Sequence, residues 1–430
     1  MQFTRGHLID LSPLRTSPAF ARMWIGSTLA GVGGQLTIVT VMLHVFDLTG
    51  STFAVSMIAV AGLAPMVLAG LYGGMLADAF DRRRVALIAA TVAFAATGLL
   101  MTLTWTNAET IWWLYALSMV IAAANSVGMA TRTAIVPRLI PRDQLAAASA
   151  LNGVAFGLTV MVGPAVAGML VALTGFGWTY TIDVILMLSM FLGLWTLPAL
   201  LPEGTIVRPG LASLVDGWRF LRRARNIRTQ YLLDIVAMTF GNPLALYPAL
   251  GTVLLGGGAV TTGLLAASVA VGTFASSLFS GRVVQYRWHG RGIARAVQAY
   301  GVAIALFGGI LLVGAFLPAA TAHSPSVPLI VLACVALALS GAADNVSSIY
   351  RNTMMQAAVP DAMRGRLQGI FIIVVAGGPR VGALYAGTLA TLTALWFPPL
   401  LGGFLVIGLA GLLARLTPRF RAYDALNPEP

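Results

Sequence analysis

The sequence runs to 430 residues, 58% of them hydrophobic and only 9% charged, with a mean hydropathy of +0.87. A soluble protein carries about 25% charged residues, so much of this surface is expected to face lipid. The net charge of +12 comes from 26 basic residues, all arginine. That excludes a P-loop, whose lysine meets nucleotide phosphates, and a pyridoxal Schiff base.

No HExxH or GxSxG pattern is present, so the sequence gives no reason to expect a metalloprotease, a serine hydrolase or another enzyme. His7, His289 and His323 fall in predicted loops and have no metal-site spacing. The single cysteine, Cys334, cannot form an internal disulfide and reads as helix packing. No cofactor, metal or nucleic-acid partner is expected.

Residues 1–24 lack the apolar stretch and small-residue cleavage site of a signal peptide. From there the arginines fall into clusters separated by six stretches: 23–81, 85–131, 143–207, 229–281, 296–350 and 367–414. Each stretch is 47–65 residues long, room for two spans of ~20 residues and a turn. Breaks sit near the middle of each: LTGS at 48–51, TNAE at 106–109, TGFG at 174–177, GGG at 256–258, the segment 318–328, and FPP at 397–399. Twelve membrane helices result. None of the mid-stretch turns holds an arginine, so the positive-inside rule places the clusters and both termini in the cytoplasm. The expected location is the cytoplasmic membrane of a bacterium, multi-pass.

Taken in chain order, the first span offers Gln35, and His44 three residues before Asp47, which reads as a wet cap at the outer end. The fourth offers Asn125. The fifth contains GPAVAG, with Gly163, Pro164 and Gly168, small residues that let helices approach closely. Asp183 in the sixth reads as a structural pairing. A linker helix follows, with Leu211, Leu214, Val215, Trp218 and Leu221 on one face and arginines largely elsewhere, suited to the anionic inner leaflet. The seventh span brings Asp234 and Asn242, which precedes a helix-loosening proline. The tenth brings Asp344 and Asn345.

The eleventh holds Gly378, Pro379 and Arg380. Arg380 lies 14 residues beyond Arg366, which is ~21 Å at 1.5 Å per residue and therefore near the midplane. It cannot snorkel that far or lose its charge, so it requires a counter-charge or a watery cavity. Three readings stay open: a pair with Asp344 or Asp234, a contact for an anionic substrate, or a modulator of a proton-carrying acid. Asp234 and Asp344 are likewise candidates for proton exchange or for a fixed pair with Arg228, Arg351 or a helix terminus.

The chain also looks duplicated. Asn125, Arg132 and Pro141 recur as Asp344, Arg351 and Pro360 at the same spacings, and GPAVAG at 163–168 is matched by GPRVGA at 378–383. This predicts two parallel six-helix halves, 1–205 and 229–430, joined by the linker 206–228, with a substrate site near the midplane.

At GGMLADAFDRRRV, residues 73–85, the sequence resembles the major facilitator superfamily, whose loop signature is G-x-x-x-D-R-x-G-R-R. Gly74, Asp78, Arg82 and Arg83 match, while Ala79 replaces the first arginine and Asp81 the glycine. The LADxFDRRR form is similar to that of siderophore and drug exporters of the enterobactin-exporter type. That resemblance implies an all-α fold, a cavity lined by spans 1, 4, 7 and 10, a peripheral sixth span carrying Asp183, and a conformational latch at Asp78 and Arg82. It also implies a monomeric secondary transporter exporting a small amphipathic molecule by alternating access, with protons as coupling partner. GPAVAG resembles the fifth-helix signature of drug–proton antiporters, though Thr159 and Ala167 stand where glycines are usual. An arginine that many such antiporters carry in the fourth span is missing from 117–128. An uptake carrier, a lipophilic-cation exporter and a non-transporting membrane sensor remain alternatives.

Overall fold

A computed structural model describes residues 10–201, 218–318, 321, 324–359 and 361–429; the side chains at 71, 74, 77, 78, 284, 361–373 and 376 are outside the description. In hydrocarbon each backbone N–H and C=O must be satisfied within its own segment, which leaves the helix as the form for these long apolar runs. The main helices are α1 (Pro18–Thr49), α2 (Thr52–Ala79), α3 (Arg82–Trp105), α4 (Ile111–Leu139), α5 (Leu145–Trp195) and α6 (Arg225–Gly241). They continue with α7 (Gly258–Ser277), α8 (His289–Ala315), α9 (Val327–Ala358), α10 (Asp361–Leu392) and α11 (Phe397–Leu416). Among the described residues, nine helices are long and apolar enough to cross a membrane.

The helices break where turn residues stand. Gly50 has φ +61° between α1 and α2, and Asn107 has φ +50° after α3. The 51-residue α5 is two arms meeting at Gly175, whose φ of 83° and ψ of 179° are open only to glycine. Gly256, Gly257 and Gly258 all have positive φ before α7, and α11 starts on a proline within its first turn. After α6, Asn242–Pro243 interrupts the seventh predicted span. The chain resumes as a 3₁₀ turn (Leu244–Leu246), a short helix (Tyr247–Ala249) and a π turn (Leu250–Leu254).

The helices form two compact units, Met1–Val41 with Ala64–Arg208, and Met42–Leu63 with Pro209–Pro430. The segment Met42–Leu63 thus groups with the second unit rather than with the 1–205 half. There Thr52 Oγ1 lies 2.9 Å from both the Gly387 carbonyl oxygen and Thr391 Oγ1.

Close helix approach in each unit depends on missing side chains. In the first, a Cβ on Gly163 would lie 2.5 Å from Gln35 Cβ, bringing α5 onto α1, with Pro164 and Gly168 buried alongside. In the second, a Cβ on Gly272 of α7 would overlap the Ala338 carbonyl oxygen of α9. A Cβ on Gly378 of α10 would come within 2.9 Å of Met238 Cβ, and one on Gly382 would overlap the Met238 carbonyl oxygen. The GPAVAG and GPRVGA stretches are therefore helix-packing elements.

Most of the linker helix predicted at 206–228 lies outside the described residues. Its end, 218–223, is helical, with Leu221 buried in the second unit's core and Trp218 exposed. His289, expected in a loop, is the first residue of α8 and is buried, its ring 5.1 Å from that of Tyr350 and stacked on Tyr423.

Candidate functional site

In the second unit the charged centre is Arg351. Asp344 precedes it by two turns on the same face of α9, and Asp234 reaches it from α6. Arg351 Nη1 donates to Asp234 Oδ1, and Nη2 donates to Asp344 Oδ1 at 3.3 Å. The Arg351 and Asp234 side chains are only 6% and 4% exposed, whereas Asp344 is 37% exposed. One guanidinium thus serves two carboxylates, one sealed and one open. Of the cations that the sequence left open to these acids, Arg351 engages both. It shares a helix with Asp344 and is already in register with it.

The break in the seventh predicted span is tied to the helix of Arg380. Asn242 Nδ2 donates to the Pro379 carbonyl at 3.3 Å, and its Oδ1 accepts from Leu244 N at 3.1 Å. Tyr300 donates from its hydroxyl to the Gly241 carbonyl at 2.7 Å, satisfying a group that the broken ladder releases. Asn345 reaches away from the triad, to Ser276 Oγ and Ser277 Oγ at 2.8 and 3.0 Å.

In the first unit a cavity of about 750 Å³ lies among α1, α3, α4 and α5, and Gln35, Asn125, Arg132 and Asp183 line it. Asp183, read from sequence as peripheral, is instead 1% exposed against α1. Its Oδ2 accepts from Thr37 Oγ1, and its Oδ1 packs over Gly33, where a Cβ would overlap it. A helical wheel of α1 would have flagged Gly33 and Thr37 as one face, which is the signal that was available.

The loop after α2 is organised by Asp81, the residue that departs from the signature. It caps α3, its Oδ1 accepting from Arg83 N and Leu200 N at 3.0 Å each. Arg82 Nη1 donates to the Ala134 carbonyl at 2.9 Å, and Arg83 Nη2 to the Trp195 carbonyl at 2.8 Å. The side chains of Gly74 and Asp78, and with them the latch assigned to Asp78, lie outside the described residues. Among the described residues no cluster of three or more His, Cys, Asp or Glu could hold a metal ion.

Residues 9–430 match the family described as transmembrane secretion effector. The chain is 29% identical over 409 residues to a protein named enterobactin exporter EntS of Shigella boydii serotype 18, covering 94% of each. It is 28% identical, with the same coverage, to its namesake in Escherichia coli O139:H28. Among solved structures it is similar to the nucleoside transporter NupG (TM-score 0.67, 14% identity, 94% of this chain and 100% of that one). It is likewise similar to an inward-open xylose transporter XylE from E. coli (TM-score 0.67, 12% identity, 92% and 94%). These structural likenesses carry the fold. With its long apolar helices it is a multi-pass inner-membrane transporter, and the chain belongs to the transmembrane secretion effector family of the major facilitator superfamily.

Proposed function

We propose that this transporter exports a small, amphipathic, anion-bearing molecule of the siderophore type in exchange for protons. It does so by alternating access of two six-helix halves with twelve spans and both termini in the cytoplasm. The relatives named enterobactin exporter support the substrate class. The observation that carries the coupling is the sharing of Arg351 by Asp234 and Asp344.

With both carboxylates ionised the triad has one net negative charge. A proton arriving at Asp344, the open member, makes it neutral without disturbing the sealed Asp234–Arg351 pair. An antiporter needs a group of this kind, one that gains and loses charge while its scaffold stays intact. The interrupted helix at Asn242–Pro243 supplies a place to bend, and its bond to Pro379 carries that bend to the helix of Arg380. Gly74, Asp78, Arg82 and Arg83 act as the latch of the outward-facing state. The linker 206–228 lies on the anionic inner leaflet between halves 1–205 and 229–430, and one copy suffices.

The test is flux in inside-out vesicles with an acid interior. Wild type accumulates a catecholate siderophore and releases it when the gradient is collapsed; Asp344→Asn does not accumulate it. Wild-type accumulation by Asp344→Asn rejects the coupling role. Accumulation of a lipophilic cation with no siderophore uptake makes the protein a multidrug exporter instead.

A further inference from the structure

Arg132 corresponds to Arg351 under the offset of 219 residues that also pairs Asn125 with Asp344 and Pro141 with Pro360. Among the described side chains, none supplies the counter-charge that Arg351 has. Asn125 stands where the other half has Asp344, and α1 has no acidic residue before Asp47. Among the described residues no carboxylate is within ion-pair distance of Arg132. Its Nη1 hydrogen bond goes to the Met190 sulfur at 3.9 Å, a weak acceptor.

A guanidinium withdrawn from water without a partner is costly, and arginine cannot escape by losing its proton. The local sequence nevertheless makes room for it. Gly128, one turn earlier on α4, would place a Cβ 3.1 Å from Arg132 Nη1, and the corresponding position in the other half is Ser347. The guanidinium borders the 750 Å³ cavity, a volume typical of small-molecule sites. A second polar group with unused bonding capacity borders the same cavity: Asp183, whose Oδ2 accepts from Thr37 but whose buried Oδ1 has no hydrogen-bond partner. Asp183 precedes Met190 by seven residues on one arm of α5, roughly 10 Å along the helix. The lining is mixed, with apolar Ala93, Ile121 and Met187 beside polar Gln35, Thr97 and Asn125.

We propose that this cavity is a binding site, inside the first unit, for an aromatic molecule bearing a carboxylate or catecholate. Arg132 meets the paired oxygens, for which its planar fork is matched. The apolar side chains of the lining take the ring, and a hydroxyl or N–H of the ligand turns toward Asp183. The proposal rests on the transport reading only in naming a siderophore as the natural occupant.

Phenylglyoxal, which modifies accessible arginines, followed by peptide mass spectrometry of the wild-type protein in lipid-free detergent, tests the site without a mutation. Arg132 is expected to be modified and Arg351 spared. A catecholate siderophore and 2-naphthoate, a plain aromatic carboxylate, are each expected to slow modification of Arg132 about tenfold, the scale of one charge-assisted contact. Arg132→Gln is expected to weaken siderophore binding by about the same factor, with Arg132→Lys, which keeps the charge but not the fork, intermediate. Protection by naphthoate alone supports the site and rejects the siderophore as occupant. Siderophore transport by wild type with no protection of Arg132 by either probe overturns the site and leaves the transport reading standing. Protection only by phosphatidylglycerol in nanodiscs, with both soluble probes inert, makes the occupant a lipid headgroup and overturns the substrate assignment.

Discussion

In the second unit Arg351 lies between Asp234 and Asp344; in the first, Arg132 faces a cavity and a methionine sulfur. The same cation recurs at an offset of 219 residues in the sequence, and its neighbours differ. Where two carboxylates answer it, the cation is a fixed part of the scaffold and the spare charge belongs to the acids. Where no carboxylate among the described residues answers it, the cation itself has unused bonding capacity. An arginine in a membrane helix is therefore read from what surrounds it, not from its presence.

The difference is sharpest in stability. Arg351→Gln leaves two carboxylates in the membrane without their cation, and is expected to cost about 3–5 kcal/mol of stability, seen as a lower thermal unfolding midpoint in detergent. Adding Asp234→Asn should restore much of that loss. Arg132→Gln removes a charge with no ion-pair partner among the described residues, so it should cost no stability and can raise the midpoint. An equal fall in the midpoint for both single variants would break the comparison.

Next come the two glycine-proline motifs. Gly163→Ala would push a Cβ to 2.5 Å from Gln35 Cβ, against 2.9 Å from Met238 Cβ for Gly378→Ala. Both are expected to destabilise by about 1–3 kcal/mol, Gly163→Ala more, while Gly34→Ala, which meets open space, stays near wild type. Helix propensity favours alanine at both positions, so a loss at Gly34 as large as at Gly163 would show that the contacts of the added Cβ do not set the cost.

Asp344→Asn should change stability by less than about 1 kcal/mol, because the sealed pair remains, and yet remove the dependence of transport on the pH gradient.

The smallest effect is expected at the C-terminal tail, where Arg287 Nε and Nη2 meet the two Asp424 oxygens at 2.8 and 2.6 Å. The bidentate Arg287 bond holds the Asp424 carboxyl well below the usual carboxylate range. A depressed acid contributes fully above its unfolded value of about 3.9 and loses that contribution as pH falls toward the folded one. Trypsin cleavage at Arg419 and Arg421 should therefore be slow from neutral pH down to about pH 5 and faster in Asp424→Asn throughout. A wild-type tail that loosens already at pH ~6, well above the unfolded value, would discount the pair.

Much of the fold was legible because lipid leaves the backbone few choices. LTGS, TNAE, TGFG and GGG each became a break containing a residue at positive φ, and Asn242–Pro243 ended α6 as a proline should. The acids in α6 and α9 were also legible as a pair needing a cation. Their partner was not, since Arg228, Arg351 and Arg380 all satisfied the sequence, and the choice depends on how α6 is rotated against α9. For Asp183 the pairing was legible and its burial was not: Gly33 and Thr37 share one face of α1, but that this face meets Asp183, 150 residues after Gly33, depends on tertiary packing. Asp81 looked like a lapse from the loop signature, although an aspartate before three arginines is an ordinary helix cap.

The most direct test of the account is siderophore counterflow in proteoliposomes with no pH gradient, beside gradient-driven accumulation in the same vesicles. If Asp344 carries the proton and Arg132 the substrate, Asp344→Asn exchanges labelled for unlabelled siderophore at the wild-type rate while failing to concentrate it, and Arg132→Gln loses both. Counterflow lost in Asp344→Asn, or retained in full by Arg132→Gln, would contradict that division of labour.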